Sequence, residues 1–517
     1  MKIMKDTLVG IDLGTTTLKA VFLNAVTGEI ISTQTEEIFP VAAENPGWLE
    51  YDPRHWLEGA ARLLKKGFSA GAEPARIAGI CFSGWTVMSL LADESGAPLT
   101  NAIHYNDTRH LNELEDLQSL AGAKCVERNA NHINIYSGLA KQYWWKKHRP
   151  ELFAKARCVH TETTWMIRQL TGIDAWSRTQ AGFYGQYNTE TRDWDDEIIS
   201  LIGFPRSMFP KLFDAWEIVG GVTEEAARRT GLPPGTPVAA GADDASPSAL
   251  ATGAMGVGQS FLSGGSAANL AAVTAKPVCH PTIITYPHCV PGMTMAITVM
   301  SSTGLSNKWA RNVLCQSEAA CAAITGADPY DYMNQAAASS PPGANGLIFL
   351  PYLDGDFTPN NDPNARGCLI GLDTATRKAD ILRAVLEGMA FSILDNVNLI
   401  RGVGGDMDEI LATGGMTKSA VWMQIIADAT GCAISLPEES EGTAFGDALI
   451  AGYGVGLFPS FEEAVRKTVR INRHAYRPNP VNTKFYDGLF RIYRGSYAAL
   501  KDIFARMAGF RDHSHRG

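Results

Sequence analysis

The chain has 517 residues, 45% of them hydrophobic, and a formal net charge of −9, enough for a sizeable core spread over roughly three domain-sized units or two large lobes. The negative balance carries no long basic run and no interleaving of aromatic with basic residues, which excludes an electrostatic footprint for nucleic acid. Nine cysteines with no Cys-x-x-Cys pair, no signal-like apolar region and no apolar run of membrane length point to reduced thiols in a cytoplasmic protein that does not enter a membrane.

Residues 8–23 read as a hairpin of two buried strands with a polar tip. Leu8-Val9-Gly10-Ile11 ends on Asp12, Gly14-Thr15-Thr16-Thr17 turns, and Lys19 to Leu23 returns. A carboxylate, hydroxyls, backbone N–H groups and the Lys19 ammonium at one tip suit a polyphosphate with its metal. An ordinary Thr-rich hairpin would look the same, so other segments must decide. Residues 28–36 alternate as a third strand, and Asp52-Pro53 caps a helix expected to run to Lys66. Residues 77–82 form a buried strand delivering Ser83, Gly84, Trp85, Thr86 and Val87 to its carboxyl end. Ligands of partly parallel sheets collect at such ends.

An apolar stretch follows over residues 87–92, and residues 102–105 lead into Asn106-Asp107-Thr108-Arg109. That tetrad is either a helix cap, with Asp107 capping and Arg109 on the surface, or a hydroxyl-recognition site using Asn106 and Asp107. The nearness of a second polar strand end favours the latter. Residues 111–187 read as mainly helical. At 238–249 a strand of small residues delivers Asp243 and Asp244 to a Gly-lined turn, where a carboxylate serves as a helix cap or as a base accepting a hydroxyl proton. The Cys279-His280 and His288-Cys289 pairs lack metal-ligand spacing, and ordinary burial is the simpler reading.

Residues 259–273 repeat the plan of the opening hairpin, with Gly264, Gly265 and Ser266 at the tip. Two such hairpins imply two lobes that change over near residues 253–258. The reading divides the chain into an N-terminal lobe (1–253), a C-terminal lobe (254–480) and a terminal helix and tail (481–517), the last residues, 511–517, being disordered. A helix over 379–399 contains Glu387-Gly388, expected to pack on a phosphate hairpin. The strand at 410–413 ends on Gly414-Gly415, where glycines let a flat ring approach the backbone.

Taken together, Asp12-Leu13-Gly14-Thr15-Thr16, Gly241-Ala242-Asp243-Asp244, the segment from Gly304 to Trp309, and Gly414-Gly415-Met416-Thr417-Lys418-Ser419 resemble the FGGY family of carbohydrate kinases over nearly the whole chain. Within it, Asn45-Pro46-Gly47-Trp48, Tyr105-Asn106-Asp107 and Leu350-Pro351-Tyr352 are similar to the xylulokinase branch. The resemblance implies an α/β fold of two actin-like, ribonuclease H-like lobes with nucleotide and sugar bound in the cleft between them. It implies ATP and Mg²⁺, and a small-molecule sugar rather than nucleic acid or membrane as partner. A homodimer is left open.

Asp243 would be the general base for the sugar hydroxyl, and Asp12 would hold magnesium through its waters. Gly14, Thr15, Thr16, Lys19, Gly264, Gly265 and Ser266 would serve the phosphates. Gly304, Trp309, Gly414, Gly415, Met416 and Lys418 would serve the rest of the nucleotide. Trp85, Thr86, Val87, Asn106, Asp107, Asp243 and Asp244 would face the sugar.

The chain departs from the xylulokinase pattern on the sugar side. Trp85-Thr86-Val87-Met88 stands where Gln-Met-His-Gly is common, Gly265 where Thr is usual, Asp356-Phe357 where Glu-Arg is usual, and Asp244 where Asn is common. Phosphorylation of the terminal hydroxyl of a ketopentose, D-xylulose first, is therefore expected alongside L-xylulose, ribulose or erythritol as alternatives. More remote readings are a nucleotide-gated binding protein and a sugar sensor without turnover.

Overall fold

The computed structural model describes residues 4–514 apart from 266, 406 and 439–441. It divides into two compact units, each with its own sheet. Met1–Met255, Thr274–Ala296 and Glu439–Arg470 form the first; Gly256–Val273, Ile297–Glu438 and Ile471–Gly517 form the second. The division is thus not a single cut near 253. The chain crosses back twice, and Thr443–Gly454, expected in the C-terminal lobe, belongs to the first unit.

In the first unit the sheet runs Ile218–Gly221, Pro237–Ala239, Ile77–Gly84, Thr7–Leu13, Thr17–Asn24, Ile30–Glu37. Thr7–Leu13 pairs antiparallel with Thr17–Asn24 and parallel with Ile77–Gly84, so Asp12 sits between Lys19 and Ser83. Burial of these strands explains their near-continuous apolar text. The helix Pro53–Ser69 closes one face. It is capped by Asp52, which accepts the Arg54 N–H, and it runs one turn beyond the expected end.

The helix Thr443–Gly454 packs on the opening strand at contact distance. A β-carbon at Gly10 would lie 1.9 Å from the Ala444 carbonyl oxygen and 2.5 Å from the Ala448 nitrogen. The strand expected over 238–243 is broken into Pro237–Ala239 and Ala242–Asp243. At the break Gly241 has φ +77°, and a β-carbon there would meet the Phe82 carbonyl at 2.5 Å. The region 111–187 is less helical than expected. Helices Ala123–Asn129, Gly138–His148 and Glu162–Thr171 alternate with the short strands Cys158–His160 and Trp176–Ser177.

In the second unit, strands Ala268–Thr274, Gln259–Gly264, Glu409–Gly414, Ala433–Pro437 and Ile471–Tyr476 lie side by side in that order. The hairpin Gln259–Gly264/Ala268–Thr274 beside a parallel strand repeats the plan of the first sheet, and Gly264 lies opposite Gly414. The helix Lys378–Gly402 carries eighteen buried residues, but Gly388 does not meet a phosphate hairpin. It packs on the strand Ile348–Leu350, where a β-carbon would lie 2.2 Å from the Phe349 oxygen. Glu387 takes the Gly343 N–H, the Arg383 guanidinium and the Tyr486 hydroxyl instead.

The terminal helix Pro480–Ser514 continues through residues 511–514, expected as part of a disordered tail; 515–517 lie outside the described residues. Among the described residues no helix is long and apolar enough to cross a membrane.

Candidate active site

The first unit gathers carboxyl groups at the carboxyl ends of its central strands. Asp12, partly buried, lies one residue before the end of the opening strand; burial raises its pKa to about 7, and the facing Lys19 only partly offsets this. Asp447, from the Thr443–Gly454 helix, is fully buried and accepts the Ser83 hydroxyl through Oδ2 at 2.5 Å. Its pKa is pushed well up by burial and by Asp12, Asp243 and Asp244. Asp244 is exposed, yet desolvation together with the charges of Asp243, Asp12 and Glu162 pushes its pKa well up too.

Asp243 is buried, anchored through one carboxyl oxygen and without a hydrogen-bond partner on the other. Its Oδ2 accepts the N–H groups of Ala245 (3.0 Å) and Ser246 (2.9 Å) at the start of the helix Ala245–Thr252, while its own N–H donates to Thr179 Oγ1 at 3.2 Å. Its Oδ1 has no hydrogen-bond partner although the residue is fully buried. Burial raises its pKa; the backbone amides and the adjacent Ser246 and Tyr286 hydroxyls counter that rise. A carboxylate fixed through one oxygen and vacant at the other is arranged to take a proton from a hydroxyl placed beside it.

Carboxylates raised by burial and mutual repulsion, with Asp12 only partly buried, fit a divalent cation with an oxygen shell. A divalent cation such as magnesium would suit this donor set. Cys158, His160 and Asp174 also bring ligand atoms within 4.8 Å of one another, but Arg168 Nε lies 3.5 Å from Asp174 and already supplies a cation there.

At the hairpin tip, Gly14 allows the tight turn, since a β-carbon would lie 2.4 Å from the Thr17 oxygen. The Thr15 carbonyl accepts the Tyr51 hydroxyl at 2.6 Å, and the Thr16 carbonyl accepts the Ile38 N–H. Trp85 forms an aromatic wall with His104 (centroids 4.4 Å apart) and Tyr105 (5.5 Å). Thr86 and Val87 adopt φ 46° and 48°, and within the apolar stretch 87–92 only Leu90–Ala92 is strand.

Asn106 is exposed, its N–H donating to His104 Nδ1. Asp107 is a correction. Both its oxygens are occupied, by the Leu49 N–H at 2.6 Å and by the Arg109 backbone and guanidinium, and Arg109 is buried rather than on the surface. It holds a loop together and has no oxygen left for a sugar.

Sequence reasoning missed Glu162 and Lys141 in this unit. Lys141 is fully buried with no hydrogen-bond partner on Nζ, and burial lowers its pKa to about 7 against the pull of Asp107. Glu162 is fully buried as well, its pKa raised by burial to about 7. Neither residue sits in a motif; each is an ordinary helical Lys or Glu until the burial is known.

In the second unit a cavity of about 390 Å³ is lined by Gly264, Gly265, Gly304, Gly415, Met416, Lys418 and Trp422, with the side chains of the Pro329–Ala338 helix start opposite. The expected glycine-bearing strand ends meet here. Gly264 and Gly414 have no room for a β-carbon, the first against Met416 and the second against the Gly264 oxygen, whereas one at Gly415 would meet nothing within 4 Å. Gly415 thus presents bare backbone to the cavity, as a flat ring requires.

Asn334 and Tyr330 were not anticipated; Trp422, which follows the Gly414–Ser419 motif, also lines the cavity, and its buried Nε1 has no hydrogen-bond partner. Trp309 is a second correction: it stacks on Phe349 with centroids 5.8 Å apart and is not among the lining residues. Ser266 lies outside the described residues.

Two family models match, the N-terminal domain of the FGGY family of carbohydrate kinases over residues 7–251 and its C-terminal domain over residues 261–455. The chain is 28% identical to a xylulose kinase of Staphylococcus epidermidis over 97% of this chain and 98% of that protein. It is 27% identical to an autoinducer-2 kinase of Salmonella paratyphi A over 93% and 92% of the two chains. The crystal structure of xylulose kinase from Rhodospirillum rubrum superposes with a TM-score of 0.89 at 28% identity, covering 96% of this chain and all of that one. With both family domains matched in order, the chain belongs to the FGGY family of carbohydrate kinases and is a sugar kinase.

Proposed function

We propose that this kinase transfers the γ-phosphate of ATP to the terminal primary hydroxyl of a ketopentose, with D-xylulose as the first candidate. The observation that carries the reading is Asp243, with Oδ2 fixed by two backbone amides and Oδ1 vacant. Asp243 takes the hydroxyl proton as the sugar oxygen attacks phosphorus. The glycine-floored cavity of about 390 Å³ in the second unit is where the ATP would lie. Asp12 would hold magnesium, which when bound would supply neutralisation of the phosphate charge. Positioning and charge neutralisation account for most of phosphoryl-transfer catalysis, because the transferred group needs little covalent help.

The left-handed turn at Thr86-Val87 and the Trp85 wall favour a second reading, another ketose or a polyol. The autoinducer-2 kinase relative, at nearly the same identity as the xylulose kinases, also supports it. ADP release measured across a panel of ketoses and polyols decides between the two. Turnover with D-xylulose exceeding all others supports the first reading; preference for another compound replaces it.

A further inference from the structure

We infer that Glu162 is a substrate-binding residue, its free carboxylate oxygen accepting a hydrogen bond from one hydroxyl of the sugar. The inference deepens the reading of Asp243 as base and rests on it.

Glu162 opens the helix Glu162–Thr171, whose start is already stabilised by a reciprocal pair: Thr164 donates its N–H to Thr161 Oγ1, and Thr161 donates its N–H to Thr164 Oγ1. The helix therefore does not need Glu162 as a cap. An acidic residue at this point ordinarily faces water, where it complements the helix dipole. This one is fully buried and turned to the carboxyl end of the strand Ile77–Gly84. Gly84 makes the space, since a β-carbon there would sit 2.1 Å from Glu162 Oε1.

Oε1 accepts the Thr86 N–H at 3.0 Å. It thereby holds the first of two residues in left-handed backbone, the second being the β-branched Val87. Such conformations are unfavourable and persist where surrounding contacts enforce them. Oε2 has no partner at all. A buried carboxylate oxygen left without a donor is expensive, and a purely structural clamp on Thr86 would be served as well by a glutamine, whose amide could satisfy a neighbour.

The carboxyl also belongs to the group around the base. Asp12 raises the Glu162 pKa, and Glu162 in turn raises that of Asp244, the neighbour of Asp243. A vacant, immobile acceptor in that group is matched by the one donor a sugar offers in quantity, a hydroxyl.

The test is kcat/KM for the sugar chosen by the ADP-release panel and for its mono-deoxy analogues, with wild type and Glu162→Gln. Wild type should disfavour one analogue about 10- to 100-fold, the range for a hydrogen bond to a charged group. Glu162→Gln should lose about that factor on the parent sugar and little on that one analogue, so that the discrimination collapses. Equal losses on parent and analogue would make Glu162 a support for the turn only and overturn the inference. So would a wild-type enzyme indifferent to every single deoxygenation, a result that does not depend on the variant folding.

If no sugar releases ADP, the proposed reaction fails and calorimetry takes over. Sugar binding to wild type that is weakened in Glu162→Gln then keeps the inference. Undiminished binding, or none in wild type, ends it.

Discussion

Ser83 Oγ donates to Asp447 Oδ2 at 2.5 Å although the two residues are 364 positions apart. The bond ties the polar end of a central strand to the helix Thr443–Gly454, both within the first unit. Ser83→Ala leaves a fully buried carboxyl without its donor. The expected loss is about 1–3 kcal/mol of stability, read by denaturant unfolding; an unchanged midpoint would show that Asp447 finds another partner.

Asp243→Asn keeps the size of the side chain and removes the proton acceptor. Turnover should fall about 10²- to 10⁴-fold, the usual contribution of general base catalysis, with ATP affinity changed by less than about threefold. Turnover near wild type would remove Asp243 from the base role.

Gly415→Val adds bulk where no protein atom lies within 4 Å, so the fold should tolerate it and the melting temperature should stay put. The added methyl groups occupy the 390 Å³ cavity, and KM for ATP should rise at least about tenfold, or 1.4 kcal/mol. A raised KM together with a normal melt separates ligand exclusion from unfolding.

Gly10→Ala has the opposite character. Its β-carbon would press 1.9 Å from the Ala444 oxygen, against backbone that cannot rotate away. Overpacking of this kind costs about 1–3 kcal/mol or more, and the variant should unfold at lower denaturant with its loss spread over every ligand alike.

The Glu162 carboxyl titrates at about 7 in the folded chain against an ordinary 4.5. Between those values the folded state holds more protons than the unfolded one, so this group's contribution to stability is full below pH 4.5 and declines as pH rises through about 7. Glu162→Gln should flatten the decline by an amount on the order of 1–3 kcal/mol. Unfolding free energies of both proteins from pH 4.5 to 8 measure it; parallel curves would mean that Glu162 titrates normally.

Much of the site was legible because its parts are local. The Asp12 hairpin, the repeated hairpin at Gly264 and the Gly414-Gly415 strand end each announce themselves by an apolar run broken by small polar residues, and the structure brings the two glycine-bearing strands into register. Three kinds of feature were not legible. Thr443–Gly454 is rich in Ala and Gly and signals close packing, but nothing local says against which sheet.

Thr86 and Val87 carry side chains that ordinarily avoid positive φ, so a tertiary constraint had to impose it. Trp309 and Asp107 sit in family-like motifs yet spend their contacts on Phe349, Leu49 and Arg109. Motif membership placed them near a site without saying which way their atoms face.

The close approach of Ala444 to Gly10 sets an order of events on the ribosome. The strand that opens the first sheet emerges long before the helix that covers it, which follows only after most of the second unit. Until then its neighbours Leu8, Val21 and Leu23, which end up in one apolar cluster with Ala444 and Ala448, lack their cover. A nascent chain stalled short of residue 443 should therefore hold a sticky, incomplete first sheet and attract chaperones, and an N-terminal fragment expressed alone should be recovered chiefly as aggregate.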